Sequence, residues 1–394
     1  MVTRARIAAL GSLAVAFGIL VVGPSCGSGF LDGLSGGKRD SGDTDAIGQT
    51  DTGPVDARAC SISRAPAPPA DQQDTDVPGT IVLAFDGLRI DDNQNADASI
   101  PPSVGYDLDN ACTCPEPESC TPPPDSGAKK CDGDGGTDNS IGRMFSTLGG
   151  LSPAAFGPDF ATKKLREGSY GALMAIGGWN RQANDPKVYV SFYLSQGMES
   201  NSNGAGGPPL LDGNDTWKID PASVKDGDSH IGGNCETQPL ECIPVHTSST
   251  AYVVDNTLVA RLNVPLAISA NTGRITIQME DVTFVAKLRK DGELYRAEGE
   301  LVGRWPAARV LKALGEVPVN DKPLCEQSFL FDLAKGDVCS GVDLMSDPAN
   351  DHKGQRCDSV SASFRFTAGT AKRGQISVAD LPTPACQGFM PTCD

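Results

Sequence analysis

The stretch 105–139 concentrates oxygen ligands. It reads Gly105-Tyr106-Asp107-Leu108-Asp109-Asn110, then cysteines at 112, 114, 120 and 131, then Asp132-Gly133-Asp134-Gly135-Gly136-Thr137-Asp138-Asn139. Carboxylates alternating with glycine let a tight loop wrap a hard cation, and Ca²⁺ takes roughly six to eight oxygens in flexible geometry. Asp107 and Asp109 would form one arm of such a site. Asp132, Asp134 and Asp138 would form the other, with disulfides holding the arms together. The spacing and terminal Glu of an EF-hand are missing, so the loop is not one. The competing reading is a solvated acidic loop whose aspartates cap turns and the helix that follows Asn139.

Other groupings carry less chemistry. Cys112, Cys114, Cys120 and Cys131 have the donor set of a Cys₄ zinc site but lack paired CxxC knuckles. Gly33-Leu34-Ser35-Gly36-Gly37 spells the GxSxG nucleophile elbow, yet it sits in polar sequence with no strand before it and no helix after it. His230, His246 and His352 are the three histidines, each in loop-like sequence without a repeated spacing. Glu280-Asp281 occupies adjacent positions of a strand, which point to opposite faces, so the pair cannot serve a glycosidase. Trp179 ends a strand and Trp217 lies in a loop. Both positions suit stacking on a polysaccharide, provided the rings are exposed; the alternative is core filling.

The balance of 33 Lys+Arg against 50 Asp+Glu gives a net charge of −17. Such a surface repels nucleic acid and anionic headgroups. At the N-terminus, Arg4 and Arg6 precede sixteen uncharged residues, Ile7 to Val22. A spanning helix wants about twenty apolar residues, so this run reads as the h-region of a signal peptide. Gly23-Pro24-Ser25-Cys26 follows and resembles the lipobox of bacterial lipoproteins, with Gly23 in place of the usual Leu and an unusual Pro24. The resemblance implies that Cys26 is lipidated and becomes the first mature residue. Gly27 supplies no inner-membrane retention aspartate, which points to the outer membrane. Without Arg4 and Arg6 the balance becomes 31 against 50, a charge of −19. There are thirteen cysteines. Setting Cys26 aside leaves an even number, which outside the cytosol reads as six disulfides.

Asp107-Leu108-Asp109 with Asp134-Gly135-Gly136-Thr137-Asp138-Asn139 also resembles a DLD…DGxGxDN pattern found in uncharacterised secreted lipoproteins of Gram-negative bacteria. One residue fewer separates the glycine from the Asp-Asn pair here. The match covers about a tenth of the chain and implies an extracytoplasmic β-rich domain, with no activity attached.

The elements that must position these residues are mostly strands. Residues 27–78 are Gly, Ser, Asp, Pro and Thr with few large apolar side chains, and read as a flexible tether. Order begins at Thr80-Ile81-Val82-Leu83-Ala84-Phe85. From 250 to 305 every second residue is apolar: Leu258, Ala260, Leu262, Val264; then Val282, Phe284, Ala286, Leu288; then Tyr295, Ala297, Gly299, Leu301. Arg261, Lys287, Arg289, Arg296, Glu298 and Arg304 occupy the opposite face. Alternation of this length means a sheet buried on one side. Lys290-Asp291-Gly292-Glu293 is a hairpin turn. Val360, Ala362, Phe364 and Phe366 alternate with Ser359, Ser361, Ser363 and Arg365. Helices are expected at Ile141 to Leu148, Asp159 to Glu167, and after Pro306, where Val310, Leu311 and Leu314 make a stripe.

These patterns predict a signal peptide (1–25), a lipid-anchored flexible linker (26–78) and one disulfide-rich domain (79–394). The domain is expected to be an antiparallel β-sandwich of jelly-roll or concanavalin-like form, with a few short helices. A non-catalytic binding or structural module of the cell envelope follows, with possible ligands in Ca²⁺, polysaccharide or another envelope protein. The alternative is a secreted carbohydrate-active hydrolase on a jelly-roll scaffold.

Overall fold

The alternating segments become the longest strands of the molecule. The computed structural model describes residues 63–70, 77–90, 104–114, 117–124, 131–142, 144–145, 160–270, 273–319, 322–378, 386 and 388–393. Side chains of 160, 267–270 and 273–276 are outside that description. The described residues belong to one unit, Asp56–Asp394. The expected signal peptide, Cys26, Cys60 and residues 27–62 and 71–76 of the expected linker lie outside the described residues.

In chain order the elements are β1 (Ile81–Ile90), α1 (Phe160–Glu167), β2 (Gly171–Gly177), β3 (Asp185–Asn201), β4 (Gly204–Ala205), β5 (Thr216–Ile219), β6 (His246–Val254), β7 (Thr257–Ala270), β8 (Gly273–Asp291) and β9 (Leu294–Pro306). Then come α2 (Ala307–Gly315), β10 (Pro318–Val319), β11 (Lys322–Pro323), α3 (Ser328–Ser340), β12 (Ser359–Thr370) and β13 (Lys372–Ile376). The main sheet runs β3-β2-β1-β12-β9-β8-β7-β6, every neighbour antiparallel, and β6 pairs back onto β3. The result is a closed eight-stranded antiparallel barrel, with β5 and β13 added outside β3.

This corrects the sandwich expectation in both its jelly-roll and concanavalin-like forms. Alternation reports one-sided burial, which a sandwich and a barrel share. The closing contact pairs Asp185 with Val253, Val188 with Ala251 and Phe192 with His246, a partnership of distant segments that no local pattern encodes. Bulges supply the curvature, at Phe85/Gly87, Leu262/Val264 and Glu280/Thr283.

The barrel interior is a packed core. Phe85 stacks on Phe366 at 4.7 Å, meets Phe192 edge-on at 5.6 Å, and Phe284 lies 4.7 Å from Phe366. Beneath α1, Phe85, Leu88, Leu165 and Tyr170 line a cavity of about 10 Å³, the room of a single water and apolar besides. Lys287, Arg289 and Glu298 are exposed on the outside. Apolar inward and charged outward is the reverse of a membrane-spanning barrel. Among the described residues no helix is long and apolar enough to cross a membrane.

A second core explains the uninterrupted apolar run 81–85. Ile81, Leu83 and Phe85 face the barrel interior. Val82 and Ala84 face outward beneath Trp217, Ile219 and Ile376. The 221–245 segment lies over this face and is stapled by Cys235–Cys242. Further disulfides join Cys114–Cys131, Cys120–Cys357, Cys325–Cys386 and Cys339–Cys393, and Cys112 is also disulfide-bonded. A Cys₄ zinc site is thereby removed, because its sulfurs are already bonded.

Helix α1 forms where expected, and Ile141, Gly142, Met144 and Phe145 are helical. Helix α2 buries Val310, Leu311 and Leu314, with Pro306 as its N-cap. Helix α3 was not legible, since the exposed Phe329 and Leu333 blur its stripe of Phe331, Ala334 and Val338. The hairpin at 290–293 closes on the pair Asp291–Leu294, and Gly292 takes the left-handed φ of +61°.

Candidate metal centre

The acidic arms lie against the outer face of β12. Ser361 and Ser363, which alternation assigns to a wet face, are 0% exposed. They anchor the second arm: Ser361 Oγ accepts from Ser140 N at 2.7 Å, and Ser363 Oγ donates to Asp138 O at 3.2 Å. Ser363 N donates to Asn139 Oδ1 at 3.2 Å, and Asn139 Nδ2 reaches Val104 O on the first arm. The arms also pair directly. Asp138 N donates to Tyr106 O at 3.1 Å, and Leu108 N to Asp138 Oδ2 at 2.7 Å.

Carboxylate oxygens of Asp107, Asp109 and Asp138 all lie within 4.8 Å of one another. Asp107 Oδ1 accepts from Asn110 N at 2.6 Å and Asp109 N at 3.1 Å. Asp109 accepts from Ala111 N and from the Ser119 hydroxyl. Asp107 Oδ2 is buried and has no hydrogen-bond donor among the described residues. Gly136 closes over it with φ +74°; a Cβ there would stand 2.8 Å from Ala111 O and 3.2 Å from Asp107 Oδ2. Only glycine fits that approach.

Two of the five sequence candidates are not in this group. Asp132 turns its carboxylate to Thr113 N at 2.6 Å, and Asp134 is exposed. A contributor that sequence reasoning missed is Asp343, which accepts from Ser361 Oγ at 2.6 Å and N at 2.8 Å.

Electrostatics follow from the packing. Burial pushes Asp107 up to about 6, opposed by the Asn110 N–H and reinforced by Asp109. Burial, then Asp343 and Asp109 against the opposing Thr113 bond, pushes Asp132 up to about 8. Asp138 stands well above the carboxylate range, first through burial and then through Asp109, Asp132 and Asp343. Asp343 rises to about 6, mainly by burial. Like charges this close in a low dielectric favour protons or a cation among them.

A buried cation beside the arms is committed to other partners. Arg304, 0% exposed, forks onto Asp351 at 2.6 and 2.9 Å and donates to Met345 O and to Leu108 O at 2.5 Å. It therefore fixes the carbonyl between Asp107 and Asp109. His352 contributes too: its N donates to Ser119 O, and its Nε2 lies 2.7 Å from Asp109 O. Nothing local in the sequence marks these two residues, because their partners are distant.

The aromatic candidates go the other way. Trp179 is 5% exposed and Trp217 0%. Trp179 bonds Gln182 O and packs on Tyr295, and Trp217 fills the second core. Neither ring can stack on a polysaccharide, so that ligand reading is withdrawn. Glu280 is engaged by Arg309 at 2.7 Å. Compared with known proteins, the chain matches no family model, no curated protein and no solved structure.

Proposed function

We propose that this chain is an exported cell-envelope protein, tethered to the outer membrane by a lipid on Cys26. In this reading its barrel is a non-catalytic binding or structural module, stabilised by one Ca²⁺ at Asp107, Asp109 and Asp138. The observation that carries the metal is the approach of carboxylate oxygens of Asp107, Asp109 and Asp138 to within 4.8 Å of one another, together with a buried Asp107 Oδ2 that has no donor among the described residues. Hard oxygen donors on flexible loops suit Ca²⁺. The lipid rests on the lipobox-like 23–26 sequence, and the envelope address on the leader and the disulfides. Because phenylalanines fill the barrel, a partner such as another envelope protein would meet its outer surface.

Thermal unfolding in Ca²⁺, Mg²⁺ and chelator tests the metal. A ligand at about a hundred times its Kd adds about 2.7 kcal/mol, a rise of several degrees in a domain of this size. The rise should appear in Ca²⁺ and vanish in Asp107→Asn and Asp138→Asn. An unchanged midpoint would remove the ion. Intact mass of the mature protein reads acylation of Cys26 in the same preparation.

A further inference from the structure

We infer that Cys114–Cys131 is a thiol–disulfide exchange site, and that opening it releases the cation from the two carboxylate arms. The second half of this statement rests on the Ca²⁺ reading above. Three observations carry it.

The first is access. Cys114 and Cys131 are both exposed. In the other described bonds, Cys120, Cys357, Cys235, Cys242 and Cys386 are at most 5% exposed, and Cys325, Cys339 and Cys393 are partly buried. A thiol must reach sulfur in line with the S–S bond, so exposure selects the pair that exchanges.

The second is backbone conformation. Cys114 has φ +104°, a region that residues with a side chain occupy only when something holds them there. The bond to Cys131 and the Thr113–Asp132 pairing beside it are what hold it. Opening the bond lets Cys114 relax, which favours the reduced form.

The third is position. The bond joins the two arms that bring Asp107 and Asp109 to Asp138. Cys120–Cys357 separately ties the first arm to the sequence leading into β12. Reduction at Cys114 therefore removes the covalent tie of Cys131 to the first arm, leaving the two arms joined by hydrogen bonds alone and the barrel intact.

The reaction requires a dithiol as reductant. One of its thiolates attacks Cys114 or Cys131 sulfur, breaking the S–S bond and forming a mixed disulfide. The displaced cysteine leaves as thiolate and takes a proton. The second thiol of the reductant then attacks the mixed disulfide and frees the other cysteine. Two electrons and two protons pass to the protein, and the dithiol becomes a cyclic disulfide.

The test uses the mature protein in stepwise dithiothreitol, quenched with iodoacetamide and read by peptide mass spectrometry. Cys114 and Cys131 should be alkylated at concentrations that leave Cys120, Cys357, Cys235 and Cys242 bonded. Ca²⁺ titration calorimetry on that partly reduced form should show about a tenfold loss of affinity. The Cys114→Ser/Cys131→Ser variant should show the same loss without dithiol. Another pair opening first overturns the exchange site. Equal Ca²⁺ affinity in both forms overturns the release. If the oxidised protein binds no Ca²⁺, the metal reading fails and the release with it, while the order of reduction still decides the exchange site.

Discussion

Arg304 shows what a single side chain contributes when its charge is fully removed from water. Its guanidinium is 0% exposed, and its two terminal nitrogens fork onto Asp351 and also reach two backbone carbonyls, while Nε has no partner among the described residues. A buried pair of this kind adds little net stability over an apolar substitute, but breaking it leaves an uncompensated charge. Arg304→Met should therefore cost about 3–5 kcal/mol, measured by urea unfolding. Arg304→Met with Asp351→Leu should recover most of that loss. Arg304→Lys should recover little, since an ammonium cannot fork. A double variant as unstable as the single one would show that packing, rather than the stranded carboxylate, sets the cost. At this scale the sequence was only partly legible. It located the acidic arms, because Asp and Gly in alternation are a local signal. It could not say which of five aspartates converge, because Asp132 and Asp134 differ from the others only in their neighbours. Arg304 read as a solvent-facing strand residue; what buries it comes from residues 108 and 345–351, far along the chain. The tryptophans failed for a related reason: position in a strand end or loop says nothing about what later folds over it.

Among the elements, β9 depends on a close approach at Gly299. It pairs with Ala286 on β8 and Phe366 on β12. A Cβ at Gly299 would stand 1.9 Å from Val285 O and 2.7 Å from Ala286 Cα. Backbone atoms cannot swing aside as a side chain can, so β8 and β9 would have to separate. Gly299→Ala should then cost about 1–3 kcal/mol, the range for overpacking a well-filled core, read from the shift in urea midpoint at constant slope. A variant as stable as the parent would mean that the barrel wall yields at this point. Strand identity was mostly legible: the alternating stretches 258–266 and 282–301 did become β7, β8 and β9, and the continuous run 81–85 became β1. Closure was not. The pairing of β3 with β6 depends on bulges and on strand length, β3 having 17 residues, and neither appears in a polarity pattern. Part of the expected linker also makes contact with the acidic arms. Ser63 N donates to Gly135 O at 2.7 Å and Ser63 O accepts from Asp107 N at 3.0 Å, so the chain is already docked across the acidic arms there.

For the whole molecule, the acidic site should make stability depend on pH in an unusual direction. Most carboxylates in folded proteins have depressed pKa values, and their contribution disappears on acidification. Here burial and mutual repulsion raise Asp107 and Asp343 to about 6 and Asp132 to about 8, with Asp138 well above the usual range. An aspartate in the unfolded chain titrates near 3.9. Between about pH 4 and pH 8, these four groups therefore hold more protons in the cation-free folded chain than in the unfolded chain. The slope of stability with pH follows unfolded minus folded proton count, which is negative in this window. The contribution of these groups is complete below about pH 4 and is lost as pH rises through their folded values. Ca²⁺ reverses the sign, because a bound cation favours the ionised forms and competes with their protons. Melting midpoints taken from about pH 4.5 to 8 in chelator should fall relative to those in Ca²⁺, so that the two curves diverge toward high pH. The remaining acids of a chain with net charge −17 titrate alike in both series, and so cancel in the difference. Asp138→Asn should bring the curves together. Parallel curves in the parent protein would mean that neither protons nor calcium occupy the space between the arms.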